Sequence, residues 1–83
     1  MAFDVVAYLH DGMTQAAWTA TDLWLGTFAV GGDLSPADVA GLADGTTPMT
    51  PVDYDLLAAA LNDHFLDCGI THPMRYSADL PLF

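Results

Sequence analysis

Eighty-three residues make one domain and not two. Apolar residues at 53%, against 14% charged, supply a rich small core and leave apolar surface for a partner or a second copy. Eleven acids, all of them aspartate, face a single base, Arg75, giving a formal net charge of −10 and excluding direct binding to nucleic acid or to an anionic membrane.

The same charge field favours fast, salt-sensitive association with a basic protein surface. Aspartate also serves here as a solubilising and helix-capping residue. The lone Cys68 rules out an internal disulfide. Met1 to Tyr8 carries no basic leader, and the longest apolar run, Leu23 to Val30, is too short to span a membrane. A cytoplasmic location is the expectation.

Glycines at 12, 31–32, 45 and 69 divide the chain into four candidate helices, each expected to close at a left-handed residue. The first segment can be capped by Asp4, with Phe3 and Tyr8 at staple spacing and Val5, Val6 and Leu9 on one face. Helix is favoured there, although Val-Val and Tyr also suit a strand. A second helix is expected to start near Thr14, with Met13 and Trp18 as its staple. Its main face would hold Trp18, Thr21, Leu25 and Phe28, widened by Ala17 and Trp24. Leu23 and Val30 fall opposite. A helix apolar nearly all round belongs inside a bundle or at a subunit interface.

The third and fourth helices share a start signal. Leu34-Ser35-Pro36-Ala37-Asp38-Val39 and Met49-Thr50-Pro51-Val52-Asp53-Tyr54 each pair a hydroxyl cap with proline at the first helical position and an acid two residues later. The hydroxyl accepts from an orphan N–H, proline has none to waste, and the acid meets the positive helix end. The fourth helix is predicted from Pro51 to about Cys68, burying Tyr54, Leu57, Leu61, Phe65 and Cys68. Asp53, Asp63 and Asp67 lie on a flank beside that stripe, with Asp55 turned away. Pro73 and Pro81 then forbid a long helix. The expectation is an all-α fold: a small bundle of three to four short helices over residues 1–69 and an extended C-terminal tail over residues 70–83.

Little in the chain resembles catalytic machinery. Ser35 and Thr50 are better used as caps, His10 and Asp11 are adjacent only in sequence, and Asp53 and Asp55 point apart. His64, Cys68 and His72 are zinc-type ligands at suggestive spacing. Without a C-x-x-C pair, and with Cys68 in the apolar stripe, no metal or cofactor is assigned and no catalytic residue is named.

The tail carries a different signal. Asp79-Leu80-Pro81-Leu82-Phe83 resembles the short peptide by which many bacterial proteins dock on the DNA polymerase sliding clamp. Leu80, Leu82 and Phe83 match that motif, and Asp79 stands where a glutamine is usual. The resemblance implies a tail that docks through those three residues; the favoured alternative is that they fold back onto the bundle's own core.

The function expected from these features is a non-catalytic acidic module that binds a larger protein as a regulator or inhibitor, phage-encoded inhibitors included. Its partner would offer a basic or apolar docking surface, met by Asp53, Asp63 and Asp67 on the helix and by Leu80, Leu82 and Phe83 in the tail. Rival readings are a nucleic-acid mimic filling a basic groove and a sliding-clamp ligand. A homodimer is compatible with all of them.

Overall fold

The computed structural model describes residues 4–69 and 74–80. Among these the chain forms four α-helices, α1 (Val5–Ala16), α2 (Ala20–Ala29), α3 (Pro36–Asp44) and α4 (Pro51–Asp67), then a single 3-10 turn at Ser77–Asp79. The fold is an all-α bundle. No described helix is long and apolar enough to cross a membrane. Phe3, Ile70, His72, Pro73, Pro81, Leu82 and Phe83 lie outside the described residues.

The capping chemistry forms where the sequence calls for it. Asp4 accepts from the Ala7 N–H, Ser35 from Asp38 and Thr50 from Asp53, with Pro36 and Pro51 opening their helices. Leu34 and Met49, the apolar residues just before the Ser35 and Thr50 caps, pack against the core. Gly31, Gly45 and Gly69 take positive φ beyond the ends of α2, α3 and α4.

The boundary between the first two helices differs from expectation. α1 is helical, not extended, and runs through Gly12 to end at Ala17, whose φ of 57° does the work expected of a glycine. The Trp18 N–H donates to the Met13 carbonyl at 2.9 Å and the Ala17 N–H to the Thr14 carbonyl at 3.1 Å. That is a C-terminal closing motif, so Met13 and Trp18 end α1 rather than begin α2. An apolar pair five residues apart serves either helix end, which is why spacing alone misplaced it. α2 starts instead at a capping box, in which Thr19 and Asp22 satisfy each other's backbone N–H groups.

That shift turns α2 over. The sequence puts Thr21, Leu25 and Phe28 on the main apolar face, for the inside of a bundle or a subunit interface; Leu23 and Thr27 are the residues α2 buries, and Leu25 and Phe28 are exposed. The cause is close packing at Gly26: a β-carbon there would sit 2.7 Å from the Trp18 ring and 3.3 Å from Ala60 Cβ. Trp18 meets the His64 ring at 4.7 Å, Gly26 lies against Ala60 and Gly32 against Leu56, so α2 runs antiparallel to α4. The α2 face bearing the smallest residue is the one that fits.

α4 forms the spine. Tyr54, Leu57, Ala58, Ala60, Leu61 and Phe65 are its buried residues, and Leu9, Leu23, Val39 and Leu42 complete the centre of the core. Cys68, expected in the stripe, is exposed because it lies past the last helical residue. α3 is tied to α1 through the His10 imidazole and the Ala43 carbonyl.

Candidate functional site

Three places could carry function, and they differ in how much the fold builds them. The first is the acidic flank of α4. Asp53 is half-buried in the first turn, where it meets the positive helix end. Asp63 and Asp67 are exposed one turn apart near the C-terminal end, where the helix dipole disfavours acids. Asp53 and Asp63 stand about 15 Å apart at 1.5 Å per residue. The three carboxylates therefore do not converge on one point. Asp55 is turned elsewhere, accepting from both the N–H and the hydroxyl of Ser77 at 2.7 Å.

The second is the strap formed by residues 74–80. Asn62 bonds both sides of Met74, donating to its carbonyl at 3.0 Å and accepting from its N–H at 2.6 Å. The Arg75 N–H donates to the Tyr8 hydroxyl at 3.0 Å, and the Tyr54 hydroxyl donates to the Arg75 carbonyl at 2.6 Å. With the bonds from Ser77 to Asp55, the strap's backbone is held by side chains of α1 and α4. Met74 and Leu80, each 6% exposed, enter the core. The Met74 sulfur occupies the space a β-carbon at Gly12 would need, at 2.5 Å, which is why Gly12 is buried rather than a helix stop. Burial, with Tyr8, Asp55 and Tyr76 nearby, raises the Tyr54 phenol well above its ordinary value. Leu80 thus belongs to the protein's own interior; Leu82 and Phe83, named with it as partner-binding residues, lie outside the described residues.

The third place was not named from sequence as a site. On the outer side of α2, Leu25 is 51% and Phe28 67% exposed, and Val30 beyond them is 38% exposed. Thr21, Leu25 and Phe28 recur at helical spacing and form one stripe. Trp24 borders it, its indole N–H donating to the Leu34 carbonyl at 2.9 Å and its ring 6.2 Å from that of Phe28. The sequence signal is the all-round apolarity of this helix, which fits either the inside of a bundle or an interface; the structure turns Leu25 and Phe28 outward.

His64 and Cys68 do come together, Nε2 lying 3.6 Å from Sγ. The His64 ring also lies tilted against that of Trp18. Among the described residues no group of three His, Cys, Asp or Glu side chains could hold a metal ion, and His72 lies outside them. Compared with known proteins, the chain matches no family model, no curated protein and no solved structure.

Proposed function

We propose that the protein is a non-catalytic, acidic interaction module that acts as a small regulator or inhibitor by binding a larger protein. One observation carries this reading: α2 buries Thr27 and turns Phe28 and Leu25 to solvent. Covering a large apolar side chain is worth about 1.5–3 kcal/mol. Folding forgoes that gain here and leaves it for association. The free Cys68 thiol suits a reducing compartment, in keeping with a cytoplasmic location.

The rival readings draw less support. A nucleic-acid mimic needs carboxylates free along one face, yet Asp4, Asp22 and Asp38 cap helices and Asp55 holds Ser77. A clamp ligand docking through the tail would have to withdraw Leu80 from the core.

The test is photocrosslinking in cells of the source, with a photoreactive residue at position 25 and, as control, at the exposed Gln15 of α1. A discrete protein adduct from position 25 alone is expected. Equal and diffuse labelling from both positions would sink the proposal.

A further inference from the structure

We infer that the outer face of α2 docks into an apolar pocket rimmed by lysine or arginine on a different protein. The inference rests on the interaction-module reading and names the partner's chemistry. The face is an anchor of defined shape. Phe28 is the most exposed large residue of α2 at 67% and leans on Trp24, whose indole is pinned to the Leu34 carbonyl. An exposed aromatic ring set beside a fixed indole offers a large apolar area for burial, and such residues carry much of the binding energy at interfaces.

Charge decides what covers it. The exposed Asp33 follows the stripe in sequence, and the chain holds no lysine. Its single arginine, Arg75, belongs to the strap held by α1 and α4. A second copy laid on this face would bring another ten net negative charges and no lysine to answer the acids. Like charges set against each other at an interface are strongly unfavourable. A basic rim around an apolar pocket satisfies both the ring and the acids.

The test uses a synthetic amphipathic helical peptide of leucine and lysine as the probe, with a glutamate-for-lysine version as control. Binding is read by tryptophan fluorescence and calorimetry on the full chain, and sedimentation reports its own association. Two substitutions separate docking from bare charge attraction. Phe28→Ser removes the ring, and Phe28→Asp removes it while adding a negative charge. The wild type is expected to bind the lysine peptide and not the glutamate one. Both variants should melt within a few degrees of wild type and bind at least about tenfold more weakly, as for an interface anchor. Leu66→Ser, at a residue 78% exposed on α4, should bind as wild type does.

Tighter or equal binding by Phe28→Asp would overturn the inference, because attraction by the charge field alone strengthens with each added acid. Failure of the wild type to bind the lysine peptide would overturn the basic-rim chemistry. The crosslink at position 25 would then still decide the module reading separately. A dimer in sedimentation that Phe28→Asp dissociates would also overturn it, giving the face to a second copy.

Discussion

Replacing Asn62 with Ala tests the strap directly. The change deletes two hydrogen bonds, to the Met74 N–H and carbonyl, beside a residue that is 6% exposed. Each lost bond is worth about 1 kcal/mol net, and a buried group left unpaired costs about 1–3 kcal/mol. Water reaches the half-buried Asn62 side, so the expected total lies at the low end, about 2–4 kcal/mol. A chain of this size has roughly 4–12 kcal/mol of stability in all, so the loss should fall locally, opening the strap before the bundle. Native-state hydrogen exchange followed by NMR reads this. The Met74 and Arg75 amides should exchange about 30- to 700-fold faster, at tenfold per 1.4 kcal/mol, while the Leu57 and Leu61 amides in the centre of α4 should exchange as slowly as before. Asn62→Leu keeps the volume and removes the bonds, and should behave like the alanine variant. Unchanged exchange at Met74, or full restoration by leucine, would refute the assignment of the strap's stability to these bonds.

Other substitutions probe separate elements. Thr50→Ala should cost about 1 kcal/mol in denaturant unfolding, the usual value of a lost helix cap, with the Asp53 N–H left unsatisfied; no measurable loss would remove Thr50 from that role. Gly26→Ala gains up to about 1 kcal/mol of helix propensity. It also drives a methyl to 2.7 Å from the Trp18 ring, and overpacking of about 1–3 kcal/mol should win; a raised melting temperature would show that α2 does not approach α4 this closely. Tyr54 governs the alkaline limb. Its phenol is raised above the ordinary value of 10.0 in the folded state, so unfolding releases its proton at high pH. Its contribution to stability should be constant below about pH 10 and be lost as the pH rises above it. Tyr54→Phe starts lower by about 1 kcal/mol for the lost bond to Arg75 but should fall less steeply, and parallel declines would contradict the burial of that hydroxyl.

What was legible in the sequence was local. Ser35-Pro36 and Thr50-Pro51 announce helices because every partner in a cap lies within three residues. Gly31, Gly45 and Gly69 announce helix ends because few other residues adopt positive φ. Ala17 hid one such end by adopting that conformation without being glycine. Choosing the buried face of α2 needed knowledge of Ala60 and Trp18 as neighbours of Gly26, which no periodicity supplies. The strap was least legible. Bonds from Asn62, Tyr8, Tyr54 and Asp55 to a distant backbone follow no repeat, and Asp55 read from sequence only as an acid turned away from the others. Of the candidate sites, the acidic flank was visible as composition, whereas the exposed stripe of α2 became visible only once the helix's start was known.

The strap also bears on the lifetime of the folded state. Its bond from Arg75 to Tyr8 joins residues 67 positions apart, whereas the helix ends close over three to five. The strap's holds come from both α1 and α4, so its full set of bonds closes only after those two helices stand side by side. Interactions absent from the transition state act on unfolding and not on folding. Residues 74–80 therefore serve as a kinetic lock: loosening them should leave the refolding rate alone and shorten the native half-life. A cell-side protease would sense that half-life wherever cleavage outpaces reclosing.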